Sequence, residues 1–261
     1  MSIKVVESFS QLKKRVQHFL SSDAYGRPEI KAALDEFSKY GSLVLFGGLL
    51  RDLSLVGNEG FNSDVDVVVK TNNWTEFKKC LQGYNYSQNK FGGFRIQLSR
   101  WSIDLWQLED TWASKQGYVN VKTFEDLCNT TFFDWDAIAY DLETKKIIAI
   151  NDYLTRVRSH IIDINLSDNP NPVGNSIKAL RYLEKYEAKL SPRLASYISS
   201  VLNDYDSTDI SKLEKISHER GVLGNLASMH INALEEHQKT EPLFPLKKEQ
   251  YQKSLDLSHK N

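Results

Sequence analysis

Two carboxylates, Asp64 and Asp66, stand two residues apart at the start of a run of three valines. Because valines favour a β-strand and alternate residues of a strand share a face, we expect both carboxylates to project from one side of a sheet. Two neighbouring carboxylates repel each other unless a cation lies between them. Their hard oxygen atoms favour Mg²⁺, which binds such ligands at about 2.0–2.1 Å. The spacing therefore predicts a magnesium site.

A glycine pair, Gly47 and Gly48, precedes these carboxylates in the chain. Residues 42–46 are predicted to form a short buried strand, and the glycines allow the backbone to turn tightly into a helix that begins at Leu49. The first N–H groups of such a helix are available to phosphate. We therefore expect the backbone of the two glycines to hold the β- and γ-phosphates of a nucleoside triphosphate.

Three further polar residues accompany the glycines and carboxylates. Ser63, next to Asp64, is a candidate donor to the same phosphates. Arg51 and Asp52 lie on the predicted helix. They either contact the nucleotide or brace the helix against the sheet, and the sequence leaves both interpretations open.

The order Gly-Gly-x-x-Arg-Asp and then Asp-x-Asp resembles the head domain of the polymerase-β-type nucleotidyltransferases, and most closely that of bacterial CCA-adding enzymes and poly(A) polymerases. Residues 136–141 are similar to the family's Asn-Ala-x-Ala-Tyr strand, and residues 177–182 to its first neck helix. The resemblance covers roughly residues 40–190. It implies Mg²⁺-dependent transfer of a nucleoside monophosphate from an NTP to an acceptor hydroxyl, with release of pyrophosphate.

The fold implied by this resemblance is α/β (α+β), a mixed nucleotidyltransferase sheet flanked by helices with a smaller all-helical C-terminal domain. We expect the head domain at 1–165 and a helical neck- or body-like domain at 166–261, because residues 165–175 are rich in Asn, Pro and Gly. Two predicted strands, 94–98 and 102–107, are joined by a tight turn at 99–100. The other predicted strands are 42–46, 84–87, 137–141 and 146–150, and the predicted head helices are 9–20, 29–40 and 74–81.

The family needs a third carboxylate on a later strand, and Asp104 is the best match, since apolar and polar residues alternate around it. Glu109 and Asp110 are nearby alternatives that helix capping explains better. The resemblance implies that Asp64 and Asp66 bridge two Mg²⁺ ions, which Mn²⁺ could replace. Asp104 would bind the ion nearer the attacking hydroxyl and could accept its proton. Two ions about 3.5–4 Å apart clamp the entering and leaving oxygens of an in-line displacement.

Basic residues form two candidate clusters. On the predicted helix after the boundary, one face carries Lys178, Arg181, Lys185 and Lys189. The resemblance implies that the first two reach the triphosphate, while the last two either hold an RNA acceptor or are simply solvated. The second cluster surrounds the predicted turn at 91–94 and consists of Lys90, Arg95 and Arg100. It either binds an acceptor strand together with Phe91 and Phe94, or those rings only pack on the sheet.

Composition limits the remaining choices. The formal net charge is −1, so nucleic acid would have to be bound by a local patch. Hydrophobic residues make up 41% of the chain, with no apolar run of membrane-spanning length and no secretion signal. We therefore expect a cytoplasmic protein without a membrane partner. Cys80 and Cys128 have no metal-ligand spacing and are expected to be buried apolar groups.

Departures from the family argue against a standard CCA-adding enzyme. Its Arg-Arg pair is replaced by Thr130 and Thr131, its Asn by Asp136, and its base-reading neck motif by residues 171–175. The chain also ends soon after its neck-like helices. Three hypotheses remain: nucleotidyl transfer from ATP or CTP to an RNA 3′ end such as that of tRNA; the same transfer to a protein or small-molecule hydroxyl; and an NTP-binding module without turnover.

Overall fold

The computed structural model describes residues 4–59, 61, 64–217, 221–223, 233–234 and 242–243. The chain divides into two compact units. Unit 1 contains Met1–Arg158 and Asn165–Asp168, and unit 2 contains Ser159–Ile164 and Asn169–Asn261. The domain boundary expected after residue 165 stays a prediction. Among the described residues, no helix combines the length and the apolar character needed to cross a membrane.

Unit 1 is built on a seven-stranded mixed sheet, which confirms the predicted fold class. The strands, in the spatial order β3-β4-β5-β2-β1-β6-β7, are antiparallel to their neighbours except that β2 and β5 run parallel. In chain order they are β1 Ser42–Phe46, β2 Val65–Lys70, β3 Asn85–Gln88, β4 Phe94–Gln97, β5 Ser102–Gln107, β6 Ile138–Asp141 and β7 Ile147–Ala149.

Seven α-helices accompany this sheet in the described chain: α1 Phe9–Ser21, α2 Arg27–Phe37, α3 Gly48–Leu55, α4 Trp74–Cys80, α5 Trp112–Lys115, α6 Phe124–Leu127 and α7 Tyr153–Ser159. The three predicted head helices are confirmed as α1, α2 and α4, with ends that differ by a few residues. Short 3₁₀ turns, which are poorer in hydrogen-bond geometry than α-helix, connect several of these elements.

The two faces of the sheet are covered differently. One face packs against α6 and the loops beside it, where Val44 and Val68 meet Phe124 and Leu127 in a buried cluster. Strand side chains alternate between the faces, so the intervening residues of β1 and β2 point to the opposite layer. The end of the first face beyond this cluster carries polar side chains, and the candidate site lies there.

Unit 2 contains three helices in its described part, α8 Pro172–Lys185, α9 Pro192–Leu202 and α10 Ser207–Ser217. Each of them starts with a side-chain cap: Asn171 accepts from Gly174 N–H at 3.0 Å, Ser191 accepts from Leu194 N–H at 3.0 Å, and Asp206 accepts from Asp209 N–H at 2.8 Å. The unit also contains a short parallel ladder between β8 Ile161–Ile162 and β9 Lys189–Leu190, which the sequence did not predict.

Candidate active site

The three predicted metal ligands lie on one face of the sheet. Asp66 of β2 is the direct neighbour of Asp104 in the parallel register with β5. Paired residues on adjacent strands share a face at a strand separation of about 4.8 Å. Asp64 precedes Asp66 by two residues and so faces the same way. The structure therefore places together three carboxylates that the sequence scatters over 41 positions, counting from 64 to 104.

The glycine turn lies at the same end of the sheet. Phe46, the last residue of β1, is paired with Asp66 in the antiparallel register, so the turn follows immediately beside the carboxylates. Gly47 has φ 63° and ψ −117°, a backbone conformation that favours glycine, and its N–H donates to Ile138 O at 3.0 Å. Helix α3 then begins at Gly48 with N–H groups that have no partner within the helix. Ser63 lies outside the described residues.

Arg51 and Asp52 form a buried ion-pair network with Asp136. Arg51 is 4% exposed; its Nε and Nη2 donate to Asp52 Oδ1 at 2.9 and 2.7 Å, and its Nη1 to Asp136 Oδ1 at 2.5 Å. This arrangement favours the interpretation that the pair braces α3. Asp136, at the position where the family has asparagine, gives Arg51 a second charged acceptor besides Asp52.

Arg95 lies between two of the candidate metal ligands. Its position on β4 is paired with Asp104 on β5. Its Nε donates to Asp104 Oδ1 at 2.8 Å, and its Nη2 donates both to Asp104 Oδ2 at 2.7 Å and to Asp64 Oδ2. These hydrogen bonds, first those to Asp104, raise the pKa of Arg95 above its usual value. The guanidinium thus offsets the repulsion between the carboxylates.

The sequence pattern groups Arg95 with an acceptor cluster, but the tight turn predicted at 99–100 also determines which residue lies opposite Arg95. A two-residue turn at 99–100 sets the register of the flanking strands, and counting outward from it pairs residue 95 with residue 104. The structure has this register, with Leu98 N–H donating to Trp101 O at 2.8 Å.

The structure does not bring the rest of that cluster together. Lys90 lies in the β3–β4 turn, with its Nζ 5.0 Å from the centroid of the Phe91 ring, whereas Arg100 lies in the β4–β5 turn at the other end of β4. Phe94 is buried on the sheet beside Trp74, at 6.0 Å between ring centroids. The packing interpretation of Phe94 is therefore favoured.

The basic face predicted on the first helix of unit 2 is only partly present. Arg181 pairs with Glu214, whose side chain is 1% exposed. Lys178 Nζ lies 5.7 Å from the Tyr182 ring centroid, and Lys185 Nζ lies 4.7 Å from that of Tyr186.

The prediction that Lys189 continues this helical face is wrong. Helix α8 ends at Lys185, Glu187 has a positive φ of 50°, and Lys189 lies in β9. Its N–H donates to His160 O at 2.7 Å. Helical spacing in the sequence cannot reveal the helix end when the residue at the left-handed position is not glycine.

In the residues that the structure describes, no group of three or more acidic, His or Cys side chains is arranged to hold a metal ion. The donor chemistry nevertheless fits a hard cation, since three carboxylates share one face and two of them already bind a cationic side chain. Away from this site, the two cysteines are free thiols; Cys128 is buried as expected, whereas Cys80 is only half-buried.

Comparison with known proteins identifies the fold. The chain matches no protein-family model and no curated protein. Among solved structures, it resembles a CCA-adding enzyme in an apo form, with 17% identity over 87% of this chain and a TM-score of 0.59. The Thermotoga maritima CCA-adding enzyme complexed with tRNA gives 16% identity over 86% of this chain and a TM-score of 0.59. A CCA-adding enzyme with ATP gives 18% over 89% and a TM-score of 0.56.

This chain spans about half the length of these enzymes, covering 54%, 55% and 55% of them. At such low identity the likeness concerns the fold. The structural resemblance expected from the glycine and carboxylate motifs is confirmed at that level.

Proposed function

We propose that this protein is a nucleotidyltransferase that uses a divalent metal to move a nucleoside monophosphate from an NTP to the 3′ hydroxyl of an RNA. The observation that carries the proposal is the β2–β5 register, which places Asp104 beside Asp66 at the end of the sheet where α3 begins. The fold supports it, since solved structures with this fold include CCA-adding enzymes with CTP, with ATP and with tRNA.

The chemistry of each candidate residue suggests its role in the reaction. Asp64, Asp66 and Asp104 would hold Mg²⁺ or Mn²⁺, and the metal would neutralise charge on the entering and leaving oxygens. The backbone of Gly47 and Gly48 would hold the triphosphate at the start of α3. Asp104 would be the carboxylate that accepts the proton of the attacking hydroxyl.

The basic side chains are assigned to binding of the nucleotide and of the RNA. The assignment of Lys178 and Arg181 to nucleotide binding rests on the family resemblance alone; in this structure Arg181 pairs with Glu214. RNA binding is assigned to Lys90 and Lys185. Replacing two such lysines should weaken an RNA acceptor and reduce the salt dependence of its binding, whereas a small-molecule acceptor should be unaffected.

The test is incubation of the purified chain with Mg²⁺ and each NTP labelled at the α-phosphate, with total RNA and total protein as acceptors. Asp66→Asn removes a candidate ligand, and Asp110→Asn makes the same change at a carboxylate that pairs with Lys115 at 3.5 Å outside the site. We expect label in RNA with the unchanged chain and with Asp110→Asn. Asp66→Asn should lower transfer by at least about a hundredfold.

Each other outcome contradicts a defined part of the proposal. Label in protein or in a small molecule would keep the chemistry and replace the acceptor. Transfer that survives in Asp66→Asn would refute the assigned site. NTP binding without transfer in any reaction would make the protein a nucleotide-binding module.

A further inference from the structure

The guanidinium of Arg95 makes contacts that a divalent cation at the candidate site would need. One of its nitrogen atoms, Nη2, donates to an oxygen of Asp64 and to an oxygen of Asp104, while Nε donates to the second oxygen of Asp104. Both oxygens of Asp104 are therefore engaged. A metal bound to Asp104 would lie within a few ångströms of the guanidinium, so repulsion between the two cations opposes its binding while Arg95 stays in place.

Arg95 cannot leave the carboxylates by losing its proton, because a guanidinium remains charged throughout the accessible pH range. It can leave only by a change of rotamer. The backbone of Arg95 is held by the β4–β5 pairing, but its side chain is 49% exposed, so solvent lies on one side of it. The side chain is therefore free to turn away while the strand stays in place.

The energetic consequence depends on what Arg95 gains when it turns away. Charge-assisted hydrogen bonds to carboxylates are among the stronger ones in proteins. A bare cation offers Arg95 no substitute for them, whereas a triphosphate offers oxygens that match the fork of a guanidinium. Water can take up the hydrogen bonds of this half-exposed side chain, but a triphosphate compensates the displacement of Arg95 more fully, because its oxygens are charged.

We propose that Arg95 is an internal stand-in for the metal, which holds Asp64 and Asp104 in the nucleotide-free protein and transfers to the triphosphate when a metal–nucleotide complex binds. This inference rests on the proposed function and adds a regulatory property to it. The site would discriminate against free divalent cations and accept them with nucleotide.

The test measures binding of Mn²⁺ alone, from the loss of the free-ion electron paramagnetic resonance signal, with no nucleotide and no turnover. Arg95→Gln is compared with Arg100→Gln, which removes the same charge from the turn of the same β4–β5 hairpin. We expect Arg95→Gln to bind Mn²⁺ at least about tenfold more tightly than the unchanged chain, the ratio that corresponds to about 1.4 kcal/mol. Arg100→Gln should change the affinity far less.

A second measurement uses Mn²⁺ with a non-hydrolysable α,β-methylene analogue of ATP. Here Arg95→Gln should bind no more tightly than the unchanged chain, because it lacks the guanidinium that would contact phosphate. Arg95→Lys keeps the charge but cannot span both carboxylates, so its Mn²⁺ affinity should lie between those of the unchanged chain and Arg95→Gln. Tryptophan fluorescence checks that each variant is folded.

The outcomes separate this inference from the proposed function. If Mn²⁺ binding is lost in Asp66→Asn but is equal in Arg95→Gln and the unchanged chain, the role of Arg95 is refuted and the metal site stands. An equal increase of Mn²⁺ affinity in Arg100→Gln would also refute the role of Arg95, because the change in net charge alone would then explain the effect. If no variant shows binding that depends on Asp66, both proposals are overturned.

Discussion

Replacing Arg51 by Met should destabilise unit 1 strongly, because it removes a guanidinium that pairs with two buried carboxylates. Arg51 is 4% exposed, Asp52 is 0% and Asp136 is 9%. Removing one partner from a buried ion pair costs about 3–5 kcal/mol, because the remaining charge is desolvated and uncompensated. For a folding unit of this size, such a loss lowers Tm by about 6–20 °C.

The matched control is Lys31→Met. Lys31 pairs with Asp35 at 2.5 Å, the same N···O distance as between Arg51 and Asp136, but the two side chains are 55% and 64% exposed. Solvent screens an exposed pair on a helix surface, so this variant should unfold close to the unchanged chain. The comparison holds the distance constant and varies burial.

Urea unfolding followed by tryptophan fluorescence measures the effect in unit 1 alone. All five tryptophans lie in that unit, at positions 74, 101, 106, 112 and 135. Adding Asp136→Asn to Arg51→Met should recover at least about 1 kcal/mol, because it removes one of the two stranded charges. A loss of stability in Arg51→Met no larger than in Lys31→Met would refute the bracing role.

Three further outcomes are expected. Gly47→Ala should cost about 1–3 kcal/mol of unfolding free energy in the same urea assay, because φ is 63° at this position. Gly83→Ala is the control: φ there is not positive, no atom lies within 4 Å of the new Cβ, and the unfolding free energy should change little. Equal effects of the two substitutions would contradict this prediction. Burial raises the pKa of Cys80 to about 11 and that of Cys128 to about 12. A disulfide reagent at neutral pH should therefore modify both thiols slowly, and the half-buried Cys80 before the buried Cys128. The reverse order would be inconsistent with the structure. Glu214→Gln should cost unit 2 about 1.5–3 kcal/mol, because it removes the charge of the buried carboxylate that pairs with Arg181. The loss would be seen as an earlier loss of far-UV circular dichroism with an unchanged tryptophan transition, and an unchanged dichroism curve would refute it.

Features that depend on a few consecutive residues could be predicted from the sequence. The turn before α3 requires a positive φ, which the glycine at position 47 can adopt. The shared face of Asp64 and Asp66 follows from the alternation of side chains along a strand. The pairing of Arg95 with Asp104 was readable in principle, because a short turn determines the register of its hairpin.

Features that depend on distant residues could not be predicted from pattern alone. Asp104 becomes the neighbour of Asp66 only because β5 pairs in parallel with β2. No local sequence pattern predicts this pairing, and only the family resemblance indicated it. One partner of Arg51 is Asp136, 85 positions away, and one partner of Arg181 is Glu214, 33 positions away.

The physical reason is that a charged residue has the same local sequence signature whether it is solvated, braces a core or faces a ligand. Its role depends on which carboxylate reaches it and how much water remains around the pair. The sequence by itself determined which side chains were available and how neighbouring ones were oriented. Only the tertiary structure decided that Arg51 is buried in a brace, and that Arg95 lies between Asp64 and Asp104 with half of its side chain exposed.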